Sequence, residues 1–129
     1  MNMNIVNSNC LKDFDPGEKH GPERVAFLVF NILEKANGCK ATDVYIEPWG
    51  DKLQVCFRID GVMLHVSDLP SELGPNIIAR LKFLANLLSY RQDIPQEGRI
   101  SHADSLEGVE VRVSTFPTIH GERVALRLF

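Results

Sequence analysis

The chain has 129 residues, 44% of them hydrophobic, which fits one domain with a core of ordinary thickness. Its 14 basic and 17 acidic residues are interspersed and leave a formal charge of −3, so the basic footprint that electrostatic nucleic-acid binding needs is missing and no nucleic-acid partner is expected. Cys10, Cys39 and Cys56 are odd in number and form no Cys-x-x-Cys pair, which favours structural thiols over a disulfide framework or a zinc site.

Residues 1–21 carry Asn7, Ser8, Asn9, Asp13, Asp15, Gly17 and Gly21 among scattered apolar side chains and read as a flexible N-terminal arm. Pro22 suits the first turn of a helix, Val25, Leu28, Val29, Ile32, Leu33 and Ala36 recur at helical spacing, and Gly38 can serve as a left-handed stop. Phe27 and Phe30 widen that apolar face, which predicts cover on more than one side. The apolar run at residues 25–30 falls far short of the ~20 residues of a membrane span, and residues 1–4 open no signal peptide. A soluble, cytoplasmic protein is expected.

Residues 43–47 and 53–59 alternate apolar and polar about a Pro48-Trp49-Gly50-Asp51 turn, and Asp60-Gly61 returns the chain into a third strand at 62–66. Arg58 is expected to fix that second turn through local hydrogen bonds and a salt link from Asp60. A second helix runs from about Gly74, because Pro75 is tolerated only in a first turn. Ile77, Ile78, Leu81, Leu84, Ala85 and Leu88 form its apolar stripe, with Arg80, Lys82 and Asn86 placed away from it. Strands at 99–103, 109–115 and 123–128 follow. The order α-βββ-α-βββ with short turns predicts an α+β fold, a PAS-like antiparallel sheet flanked by helices. How the two meanders join is not legible.

The chain carries neither the Gly-x-x-x-x-Gly-Lys-Ser/Thr phosphate cradle nor a dinucleotide fingerprint. His102-Ala103-Asp104 sets a histidine close to a carboxylate, too little for a metal centre, and no serine has a local base. No metal site and no independent enzyme are expected. What the sequence does offer is arginine on strands. Alternation at 110–114 and 123–128 puts Arg112, Arg123 and Arg127 on one exposed face. A turn about Pro117-Thr118-Ile119 would pair Glu110 with Arg127, Arg112 with Ala125 and Ser114 with Arg123. Strand charges of this kind are usually a solvated face, and a Glu110–Arg127 pair would be an ordinary ion pair. Arginine is also the permanent, forked cation that reaches phosphate oxygens during phosphoryl transfer.

Residues 42–48 (Thr-Asp-Val-Tyr-Ile-Glu-Pro), 57–62, 80–85, 95–100 (Pro-Gln-Glu-Gly-Arg-Ile), 112–117 (Arg-Val-Ser-Thr-Phe-Pro) and 121–124 (Gly-Glu-Arg-Val) occur in the order seen in secretion ATPases. The chain resembles, over residues 22–129, the N-terminal domain that precedes the motor in type II secretion and type IV pilus assembly ATPases. The resemblance implies a PAS-like domain of a hexameric ATPase that closes over nucleotide bound to a RecA-like motor domain and transmits motion. Its P-loop, acidic boxes and four-cysteine metal site would lie past residue 129. It implies ATP and Mg2+ as cofactors of the full-length ATPase and none for this chain alone. The implied partners are the motor domain, neighbouring subunits and inner-membrane platform proteins, with the protein peripheral to the membrane through them. Carried over, the phosphate-approaching arginines match Arg112 and Arg127, with Arg99 and Arg123 as further candidates. Tyr45 stands where the family commonly has histidine and Glu97 where it commonly has aspartate. The alternative is a free-standing PAS-like module that binds a small ligand in a cavity between sheet and helix, or a protein partner.

Overall fold

A computed structural model describes residues 22–101, 106 and 108–129. The arm at 1–21, the His102–Asp104 pairing and the end of the predicted fourth strand lie outside them. The elements are α1 (Pro22–Gly38), β1 (Asp43–Trp49), β2 (Lys52–Ile59), β3 (Val62–Pro70), a 3-10 turn at Ser71–Leu73, α2 (Gly74–Leu84), β4 (Gln96–Ile100), β5 (Val111–Thr118) and β6 (Gly121–Leu128). They form the expected α+β arrangement.

All six strands lie in one antiparallel sheet of order β3-β2-β1-β6-β5-β4. The junction between the meanders is the β1–β6 pair, which sets Asp43 opposite Arg127 and Val44 opposite Leu126. The first and last strands of the chain therefore meet at the centre of the sheet. Period-2 alternation then sorts the two faces. Val44, Ile46, Val55, Phe57, Val113 and Leu126 are buried on one face, and Leu28, Ile32, Ile77 and Leu81 of the helices close over it. Both helices share one core with this face, and the other carries the polar side chains. Phe30 is 46% exposed, so the double cover expected from Phe27 and Phe30 is absent at Phe30.

Local stops differ instructively from expectation. At the end of α1 the left-handed residue is Lys40, with φ 60°, not Gly38. Lys40 N donates to Asn37 O and Ala41 N to Ala36 O at 3.0 and 2.9 Å, the paired bonds of a Schellman ending. α2 ends the same way, with Asn86 at φ 59° and Leu87 N donating to Lys82 O at 2.8 Å. Cys39 is disulfide-bonded while Cys56 is a free thiol, which corrects the three-thiol reading at Cys39.

Gly98 shows why β4 sits where it does. A Cβ added there would lie 2.8 Å from Ala85 O and 2.8 Å from a Leu87 methyl. The strand can rest on the turn after α2 only because the side chain is missing. Arg99, the next residue, is thereby turned to the opposite, polar face.

Candidate functional site

Register determines the site. β4, β5 and β6 align Arg99 with Arg112 and Arg112 with Arg127, and β1 and β2 continue the rank with Asp43 and Arg58. Five successive strands thus place Arg99, Arg112, Arg127, Asp43 and Arg58 in one line across the polar face. One step along the strands, Glu97, Ser114, Ala125, Tyr45 and Cys56 form the next line. A depression of about 290 Å3 between the two lines is bordered by Arg112, Arg127, Asp43, Tyr45, Glu97 and Ser114.

The expected pairing of the last hairpin is off by two residues. The turn is at Ile119-His120, so Arg112 faces Arg127, Ser114 faces Ala125 and Phe116 faces Arg123. His120 N donates to Thr118 Oγ1 at 3.1 Å, and Gly121 takes φ 119°. Thr118 and glycine therefore hold a turn tighter than the proline suggested. A two-residue shift preserves the face of every side chain, and the candidate arginines remain co-facial.

Their electrostatic settings are unequal. Asp43 is 5% exposed, accepts from Arg127 Nε at 3.0 Å and from Thr42 Oγ1 at 2.8 Å, and lies 3.9 Å from Arg58 Nε. This hydrogen bond to Asp43 raises the Arg127 pKa above the ordinary guanidinium value. Arg127 is tethered. Arg99 and Arg112, in contrast, share the single carboxylate of Glu110 at 3.6 and 3.5 Å, outside good hydrogen-bond distance. Their side chains are 69% and 61% exposed, and Arg112 rests on the Phe129 ring at 4.9 Å. Four guanidiniums in the line meet two carboxylates, so the line keeps an excess of positive charge.

Arg123 lies one line further on, 38% exposed, beside Glu47 at 3.9 Å and over the Tyr45 and Phe116 rings at 6.0 and 5.7 Å. It shares the face but not the rank. Arg58 does donate to Gly61 O at 3.2 Å, as the turn reading expects, but its acidic neighbour is Asp43 rather than Asp60. Sequence reasoning paired Glu110 with Arg127 and gave Asp43 no arginine, whereas Glu110 lies beside Arg99 and Arg112 and Asp43 beside Arg127 and Arg58. Only the strand register reveals that each serves two arginines.

Lys82, placed by periodicity on the polar side of α2, is fully buried. Its Nζ lies 2.7 Å from Glu122 Oε2 and donates to Arg91 O. The contact ties α2 to the start of β6, the strand that carries Arg123 and Arg127. Among the described residues no cluster of three potential metal ligands occurs. None of their helices is long and apolar enough to cross a membrane.

Comparison with known proteins matches residues 18–129 to the family described as Type II/IV secretion system protein. The chain is 38% identical over 101 residues to the type II secretion system protein E of Xanthomonas campestris, covering 78% of this chain and 18% of that protein. It is 41% identical over 101 residues to the type II secretion system ATPase E of Vibrio cholerae, covering 78% and 20%. To the type IV pilus assembly ATPase PilB of Myxococcus xanthus it is 40% identical over 105 residues, covering 81% and 19%. It spans about a fifth of the length of these relatives.

Proposed function

The chain belongs to the type II/IV secretion system protein family, and on that premise we infer that it is the domain of a secretion or pilus-assembly ATPase that lends cations to a nucleotide held elsewhere. The motor domain that binds ATP and Mg2+ is carried by sequence other than these 129 residues. This sheet face closes over the polyphosphate, and rigid-body rotation of the domain within a ring of six subunits carries the effect of hydrolysis onward. The ring works in the cytoplasm, against platform proteins of the inner membrane.

One observation carries the reading: Arg99, Arg112 and Arg127 stand in register on adjacent strands with too few carboxylates to neutralise them. Guanidinium forks fit phosphate oxygens, and their charge persists at any physiological pH. A polyphosphate therefore suits the chemistry of the face. The unequal tethering divides the labour. Arg99 and Arg112 move to the anion, exchanging the long contact to Glu110 for phosphate oxygens, while Arg127 stays on Asp43 and adds field. Arg123 stands outside the rank and is less exposed than Arg99 and Arg112, so it is a secondary ligand. The chain by itself supports no turnover under this reading, because it offers one wall of a shared pocket.

The alternative of a ligand-binding PAS-like module needs a cavity between sheet and helices. Phe57, Ile77, Leu81, Leu53 and Val55 fill that space, each 0% exposed.

The test uses a motor-containing relative. Alanine at the positions of the Vibrio cholerae ATPase that align with Arg99 and Arg112 should lower ATP turnover by about 10³-fold, the usual effect of losing a trans-acting arginine. Alanine at the position aligned with Arg123 should cost far less. Equal, small losses at all three, with the fold intact by circular dichroism, would return the rank to an ordinary solvated sheet face.

A further inference from the structure

Glu110 immediately precedes β5, two residues before Arg112, and Ser114 follows Arg112 by two. At the two-residue period of a strand, the carboxylate and the hydroxyl therefore flank the arginine rank from opposite sides. The depression lies on the Ser114 side, and neither Glu110 nor Arg99 lines it. Glu110 Oε1 stands 3.6 Å from Arg99 Nη1 and Oε2 stands 3.5 Å from Arg112 Nε. Each oxygen thus serves one arginine, and among the described residues neither arginine has another acidic partner. The Glu110 backbone is fixed as well, because its carbonyl accepts from Phe129 N at 2.9 Å. The Phe129 ring in turn carries the Arg112 guanidinium at 4.9 Å. Arg112 is held from two sides, by a carboxylate and by a ring.

A carboxylate offers a guanidinium the same planar pair of acceptors that a phosphate does. Glu110 therefore competes with an incoming anion for the same N–H groups. It competes with an advantage, since a short tether keeps a group at an effective concentration on the order of mM without loss of translational freedom. Its weakness is equally plain. The contacts are long and exposed, and such ion pairs are worth little each. A polyphosphate, with several charges and more acceptor oxygens, outbids one carboxylate.

We propose that Glu110 is a built-in pseudo-ligand of the arginine rank: it occupies Arg99 and Arg112 and draws them away from the depression until a polyphosphate displaces it. The proposal rests on the nucleotide reading of this face and adds to it the group that holds the face closed when no nucleotide is presented.

The experiment titrates inorganic tripolyphosphate into the isotopically labelled chain at about 0.15 M salt and follows the arginine Nε–H signals by NMR. Glu110→Gln keeps the shape of the side chain and removes its charge. It should bind tripolyphosphate about tenfold more tightly than the wild type, with the Arg99 and Arg112 signals moving most. Glu110→Asp, which withdraws the charge by one methylene from both arginines, should fall between the two. Glu47→Gln is the control. It removes the same charge from the same face beside Arg123, on β1, two strands from β5. At a Debye length of about 8 Å its field at the rank is screened, and the affinity should change by less than about twofold. Backbone signals of β2, three strands from β5, report whether each variant keeps its fold. Equal affinities in the wild type and Glu110→Gln would overturn the pseudo-ligand and leave the nucleotide reading standing. An equal gain in Glu47→Gln would also overturn it, since net charge alone would then account for the result. If neither the wild type nor Glu110→Gln bound tripolyphosphate, with the fold kept, the nucleotide reading and this proposal would fall together.

Discussion

Arg112 and Arg127 face each other directly across the β5–β6 ladder, a like-charge pair that a sheet tolerates only when each cation is answered from its other side. Glu110 answers Arg112, and Asp43 answers Arg127. Directly opposed like charges are otherwise destabilising. Asp43 is the stronger counter-ion because it is nearly buried, is fixed by Thr42, and faces two arginines at once. Asp43→Ala is expected to lower stability by on the order of 1–3 kcal/mol, since it releases Arg127 and Arg58 together beside Arg112. Chemical denaturation gives the value. In a double-mutant cycle, Arg112→Gln should recover part of the loss, because it removes the repulsion that Asp43 had masked.

Gly98 makes a second test of how the rank is built. A methyl group at this position meets the Ala85 carbonyl at 2.8 Å, and a backbone oxygen in the turn after α2 cannot move aside as a flexible side chain could. Gly98→Ala should cost about 1–3 kcal/mol, the range for overpacking. It should also loosen β4, so hydrogen exchange at residues 96–100 is expected to accelerate more than exchange in β1 or β2. Uniform acceleration across the sheet would show instead that Gly98 matters only to global stability.

The elements were legible where one periodicity dominates. Val25 to Ala36 spells out α1, and the alternation at residues 53–59 and 123–128 spells out β2 and β6, because a half-buried element must repeat at its own period. Gly74 and Pro75 marked the start of α2 correctly. Hairpin register was not legible: Pro117 suggested a turn, yet Thr118 and Gly121 close a tighter one around Ile119-His120. Proline restricts only its own φ and that of its neighbour, whereas register depends on the whole turn. The β1–β6 junction joins residues 78 to 84 positions apart and leaves no local trace. Asp43 and Glu110 as counter-ions follow from that junction and that register, which is why the candidate arginines could be named while Glu110 was assigned to Arg127 instead of Arg99 and Arg112, and Asp43 to none. Lys82 was misplaced for another reason: helical periodicity puts it on the polar side, and Glu122 draws it inward from a distant strand.

The Lys82–Glu122 pair should behave as a buried ion pair does. With Lys82 fully buried and the Glu122 side chain 9% exposed, removal of one partner strands the other in a poor solvent. Lys82→Ala is expected to destabilise by about 3–5 kcal/mol. The double change Lys82→Met with Glu122→Leu should restore most of that and can exceed the wild type, because it removes both desolvation penalties. If the double variant is as unstable as the single one, the contact to Arg91 O rather than the ion pair is what holds α2 to β6. Thermal unfolding of the three proteins separates these outcomes.

Cys56 provides a prediction in pH. Burial raises its thiol pKa above the ordinary 9.0, and the charges of Glu47 and Asp68 raise it further. The native thiol therefore holds its proton more tightly than the unfolded one. Its contribution to stability is complete below the unfolded value and is lost as pH rises through the folded value. The thiolate is the reactive form, so at mildly alkaline pH Cys56 should be alkylated by iodoacetamide more slowly in the native chain than in urea. Glu47→Gln removes one raising charge and should speed the native reaction while leaving the rate in urea unchanged. Mass spectrometry of the Cys56 peptide reads both rates. If Glu47→Gln leaves the native rate unchanged while the contrast with urea persists, burial alone is responsible and the acidic neighbours on the polar face have no measurable influence on the thiol.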